Sequence, residues 1–128
     1  MSKTPADIWK DTLTKYRKKC QSILKISANI RYVGIINVYG RTLTGIVNPN
    51  LKPLLKSEQV KNEFFIISTL VSLRKDTVNT IGKLEHVILQ HQKVIIVILQ
   101  KNDITFYISI NKKEKDLEKI ISLIKKII

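Results

Sequence analysis

Trp9, Leu13, Tyr16, Cys20, Ile23 and Leu24 recur at intervals of four, three, four, three and one. That spacing lays one apolar stripe along a helix. Lys10, Asp11, Lys15, Arg17, Lys18 and Lys19 occupy the rest of the circumference. Thr4 is placed to cap this helix, Pro5 suits its first position and Asp7 favours the positive end of its dipole, so it is predicted to run to about Lys25. The period then changes from helix to strand. RYVGIINVY (31–39) and RTLTGIV (41–47) read as antiparallel strands turning at Gly40. Gly34 and Gly45 lie inside them, where glycine marks the close approach of another group. NPNLKP (48–53) is a loop, because Pro49 and Pro53 forbid regular structure.

Ser57, as cap, and Glu58 open a second helix. Val60, Phe64, Ile67 and Val71 follow one stripe, and Phe65, Leu70 and Leu73 widen it. Phe64 to Ile67 are four consecutive apolar residues, which spans more of the helix than one sheet covers. The surplus is either an interface with a second chain or a contact with another helix of this one. KDTVNTIG (75–82) extends that helix or unwinds it. KLEHVILQ (83–90), KVIIVIL (93–99) and ITFYISI (104–110) read as three more strands, the middle one apolar enough to be covered on both faces. Asn111 is the expected cap of a last helix, with Glu114 three residues on and an apolar face of Leu117, Ile120, Ile121, Ile124, Ile127 and Ile128. The predicted order is α-β-β-α-β-β-β-α: an α+β fold in which three helices pack on a five-stranded antiparallel sheet, as one domain over residues 1–128.

That order, the length and the VGIINVYGRTLTGIV hairpin (33–47) resemble the roadblock/dynein-light-chain family, within the wider profilin-like α/β sandwiches. Gly40, Leu43 and Thr44 stand where that family has a glycine turn followed by leucine and a small residue. The family's acid before the glycine is replaced here by Tyr39. The chain is also similar to small proteins of ammonia-oxidising archaea, which share a first helix ending near a cysteine (Cys20), an Ile-Arg strand entry (Ile30, Arg31) and an LKPL loop (Leu51 to Leu54). The roadblock resemblance implies a non-enzymatic homodimer acting as a scaffold or as a regulator of a small GTPase.

Charge adds a second theme. The chain of 128 residues carries a net charge of +13, and its first 57 residues hold eleven bases against two acids. A basic half points to an acidic partner, whether nucleic acid, anionic membrane surface or acidic protein. Lysine- and isoleucine-rich usage of an AT-rich genome gives the same excess. The apolar run Val94 to Leu99 is strand-length, too short for a bilayer, so no membrane insertion is expected. MSKTPADIWK lacks the apolar core of a signal peptide and Cys20 is the lone cysteine, which makes the cytoplasm the expected compartment.

Catalytic signatures are missing. His86 and His91 are the only histidines and form no three-ligand cluster with Glu85, so no metal is expected. Cys20 lies on an apolar stripe, where cysteine serves as a small buried hydrophobe. GRTLTG (40–45) lacks the Gly-Lys-Ser/Thr ending and strand–helix context of a phosphate loop. No cofactor is expected, and the chain is read as no enzyme.

The expected function is therefore a homodimeric binding or regulatory module. Phe64, Phe65, Ile67, Leu70 and Val71 are the candidate self-association residues. Lys15, Arg17, Lys18, Lys19, Arg31 and Arg41 are candidates to face an acidic partner. The alternatives are a non-specific nucleic-acid binder using that basic group, with Tyr32, Tyr39 and Tyr107 for stacking, and a sensor holding a small ligand between helices and sheet, with Gly34 and Gly45 giving it room.

Overall fold

Thr4 caps the first helix as its position requires. Its Oγ1 accepts from the Asp7 N–H at 3.2 Å, while the Asp7 carboxylate accepts from the Thr4 N–H at 3.2 Å. In the computed structural model, which describes residues 2–128, this helix is α1 (Pro5–Leu24). Strands β1 (Ile30–Ile36) and β2 (Thr42–Val47) follow, then α2 (Ser57–Leu73). A 3-10 turn (Arg74–Thr77) and the single-turn helix α3 (Val78–Ile81) continue α2, so the polar stretch both extends the helix and tightens it. Strands β3 (Val87–Gln90), β4 (Val94–Lys101) and β5 (Ile104–Asn111) precede the last helix, α4 (Leu117–Ile127).

All five strands form one antiparallel sheet in the order β2-β1-β5-β4-β3. The opening hairpin thus supplies one inner strand and one edge. Alternation along the strands sorts side chains into two layers. Val33, Ile35, Val97, Phe106 and Ile108 point to one face, where Cys20 and Ile23 of α1 and Ile120, Ile121 and Ile124 of α4 cover them. Ile36, Ile96, Ile98 and Tyr107 point to the other, where Phe64, Ile67 and Val71 of α2 cover them. Five consecutive β4 residues, Ile95 to Leu99, are buried, as the doubly covered run implied.

Several boundaries differ from the sequence reading, each for a local reason. The hairpin turn is wider than Gly40, because the Asn37 Oδ1 accepts from the N–H groups of Tyr39 (2.9 Å) and Arg41 (3.0 Å) and so ends β1 at Ile36. Lys56, not Ser57, is the cap of α2: its N–H donates to the Gln59 side chain at 2.8 Å. Asp116 caps α4, its carboxylate accepting from the Lys119 N–H, while Asn111 ends β5 and caps only the turn after it, accepting from the Lys113 N–H. Lys83 to His86 stay outside β3. Ile8 and Trp9 remain exposed, so the apolar stripe of α1 meets the sheet only from its middle onward.

The strand glycines make room for a side chain of this chain rather than for a ligand. Gly34 and Gly45 are paired across β1 and β2. A Cβ on either would stand 2.4 Å from the Tyr32 Oη, so the Tyr32 ring lies flat over both. Gly40, at φ +81°, has a second constraint: a Cβ there would come within 2.8 Å of the Phe64 backbone oxygen in α2. The turn therefore presses directly on the helix. We expect Gly34→Ala to cost about 1–3 kcal/mol through overpacking and most of that cost to vanish in a Tyr32→Ala background. A double-mutant cycle by urea unfolding reads the coupling; additive costs would refute this account of the glycines.

Candidate functional site

The α2 side of the sheet carries the features that a core alone does not require. Tyr32, held down by its two glycines, stacks on Phe64 (centroids 6.3 Å apart, planes at 22°). Tyr107 meets Phe64 edge-on at 4.9 Å and Tyr32 edge-on at 6.3 Å. The Tyr107 hydroxyl donates to the Glu63 carboxylate at 2.9 Å, tying β5 to α2. Residue alternation put Tyr107 opposite Phe106 and Ile108, which was the available signal; its pairing with Glu63 spans 44 positions and left none.

Beside these rings a cavity of about 640 Å³ opens at one end of the sheet. Its floor is Tyr32, Ile96, Tyr107 and Ser109, and Val60, Glu63 and Phe64 of α2 form one wall. The segment between β2 and α2 forms another, with the β3–β4 turn at His91 to Lys93 closing the end. Asn48 shapes the start of that segment, its Oδ1 accepting from the Asn50 N–H at 3.0 Å. The Arg31 guanidinium then donates to the Lys52 carbonyl at 2.8 Å.

The five apolar candidates divide by helix face. Phe64, Ile67 and Val71 are buried against the sheet, at 2% exposure or less. Leu70 is half-buried. Phe65 is 65% exposed and is joined by Ile66 at 59% and Leu73 at 55%, two neighbours that the sequence reading did not select. At 100° per residue, Phe65, Ile66, Leu70 and Leu73 fall within an arc of about 140°, so they form one outward apolar strip.

The six basic candidates do not gather in one patch. Lys15, Arg17 and Lys18 are exposed on α1, and the Lys19 Nζ donates to the Ile128 carbonyl at 3.5 Å. Arg31 stands at a register shift between β1 and β5, and its guanidinium lies with the cavity on the α2 side, across the sheet from α1. Arg41 is exposed at the hairpin turn. Among the described residues the only ion pair is Lys3–Asp11, so the basic excess is not neutralised by carboxylates of the chain.

The tyrosines also separate. Tyr32 and Tyr107 sit beneath α2, while Tyr39 is 76% exposed at the turn, so they offer no shared stacking surface. Burial lifts the Cys20 thiol to about 11, which keeps it protonated and poorly nucleophilic. Among the described residues no three His, Cys, Asp or Glu side chains come together as metal ligands, and no helix is long and apolar enough to cross a membrane.

No family model and no curated protein matches the sequence. Solved structures share its fold. The gliding protein mglB of Thermus thermophilus superposes with a TM-score of 0.71 at 9% identity, over 89% of this chain and 82% of that one. An MglB with a tetrameric arrangement gives 0.69 at 8%, over 98% and 85%. A Roadblock/LC7 domain from Streptomyces avermitilis gives 0.59 at 7%, over 84% and 92%. The fold is roadblock-like, as the hairpin and the element order implied.

Burial raises the Tyr32 phenol from its usual 10 to about 12. Tyr107 is pushed up further, by burial first and then by the Glu63 carboxylate. Both pKa values are raised in the folded state, so the stability they represent is intact below about pH 10 and is lost as pH rises above it. In an alkaline titration the phenolate signal of these two residues should appear only together with unfolding by circular dichroism. Their full ionisation in a folded chain would contradict this. In Tyr32→Phe/Tyr107→Phe the delayed part of the signal should be absent.

Proposed function

We propose that this chain is a non-catalytic regulatory or scaffold module that self-associates as a homodimer through the outward strip of α2. The observation that carries the reading is that strip itself. Phe65, Ile66 and Leu73 expose large apolar area on a helix whose opposite face is already satisfied by the sheet. Burying such side chains contributes roughly 1.5–3 kcal/mol each, and a second copy offers the same strip in return. Two-fold pairing makes one patch serve both partners. The MglB with a tetrameric arrangement is a protein of this fold that assembles, and it supports the reading by analogy.

Lys15, Arg17 and Lys18 on α1 then face an acidic partner from the other side of the sheet. Pairing and partner binding occupy different surfaces on this arrangement, so neither excludes the other. A small GTPase is the partner class that the roadblock-like fold favours, in the cytoplasm. Phe64, Ile67 and Val71 act in the dimer indirectly, by seating α2 so that its outer strip is presented.

Light scattering on the eluting protein at tens of micromolar should give twice the chain mass. Phe65→Glu should give a monomer with unchanged circular dichroism and melting temperature, because that side chain is exposed. Phe64→Ala should instead lose about 3–5 kcal/mol of stability. A monomeric parent protein, or a Phe65→Glu variant that still pairs, would overturn the α2 dimer.

A further inference from the structure

The cavity beside the aromatic trio has the size of a small-molecule site, within the usual range of roughly 300–1,000 Å³. Its surface is mostly apolar, and three features bear on what fills it. The first is the wall between β2 and α2. Leu54 and Leu55 there, with Val47 at the end of β2, border the cavity yet remain substantially exposed, so they present apolar surface to it. The second is that Tyr32, Phe64 and Tyr107 are locked against one another and against paired glycines. The floor is therefore preformed, and binding costs little ordering of side chains.

The third is charge. Arg31 and Lys52 stand on one wall and Lys93 on the other, with His91 beside it. The only acid lining the cavity is Glu63, and its carboxylate is engaged by the Tyr107 hydroxyl. Three cations around an apolar interior complement a molecule with an anionic head and a hydrocarbon body. A cationic amphiphile would meet like charge at the rim, and a small anion would leave the apolar walls wet.

We propose that this cavity binds a single-chain carboxylate amphiphile, its chain over Tyr32, Ile96 and Phe64 and its head group among Arg31, Lys52 and Lys93. Arg31 has a double role in this arrangement. One of its N–H groups already holds the Lys52 carbonyl, which positions the wall that carries Leu54 and Leu55. Its other donors remain to meet a head group. This site is independent of the outward strip of α2, since it lies under that helix rather than on its exposed face.

Sodium dodecanoate, titrated below its micellar concentration into the full chain and followed by calorimetry, tests the proposal. One dodecanoate should bind per chain, with butanoate and dodecyltrimethylammonium each weaker by about tenfold or more. Lys52→Glu/Lys93→Glu changes only exposed residues and should weaken dodecanoate by about tenfold while leaving the melting temperature in place. Ser109→Trp should block the cavity from its floor. Equal binding of dodecanoate and the cationic amphiphile would overturn the proposal, as would many weak sites without a one-to-one step. So would a charge-reversed variant that binds dodecanoate like the parent protein.

Discussion

The α2 half of this fold depends on one contact: the Tyr32 ring lying across the paired glycines Gly34 and Gly45. Two side chains at those positions would lift the ring off the sheet and fill the space under the helix. With hydrogen there instead, the ring becomes part of the floor, and Phe64 can stack on it from α2 while Tyr107 closes the third side. The loss of two strand side chains is offset by a large aromatic surface at the same place. Gly40 completes the arrangement from the turn, where only the absence of a side chain lets the hairpin reach the backbone of α2. Three of the chain's four glycines thus act on the seating of a single helix.

The two faces of the sheet are built differently. Under α1 and α4 the buried filling is mainly isoleucine and valine, with Cys20, Leu99 and Phe106 among them. Under α2 the filling is aromatic, includes a hydroxyl and a carboxylate, and leaves open space at one end. The first face explains why the chain folds. The second carries nearly everything specific about it: the cavity, the strip above it and the basic rim. Arg31 belongs to this second face, beside the register shift between Ile30 and Tyr32.

Much of the fold was legible in the chain itself. Element order follows from hydrophobic periodicity, which is local and repeated, and the capping role of Thr4 and Asp7 needs only four residues to read. The β4 run announced its burial by being apolar on both parities. Relations between distant residues were not legible. Nothing in a single sequence says that the glycine at 34 will face the glycine at 45 beneath a tyrosine, or that Glu63 will accept from Tyr107. The width of the second helix's apolar arc was plain, but its division into a buried Phe64 and an exposed Phe65 depends on how the helix is rotated over the sheet. Caps also slipped where side-chain chemistry had two solutions: Gln59 satisfies the Lys56 N–H, which moves the start of α2 back by one residue.

The sheet is open, and its two rims are unlike. One is β2, six residues long, and the other is β3, only four. Unpaired backbone donors and acceptors along either rim are a template for another strand. Joining like rims of two copies closes after a single step, whereas joining unlike rims produces a growing filament. The short β3 limits a like-to-like ladder there to a few hydrogen bonds, while β2 offers a somewhat longer one. A filament of unlike rims would be held at every joint by the four residues of β3, so the backbone itself supplies little drive toward endless growth.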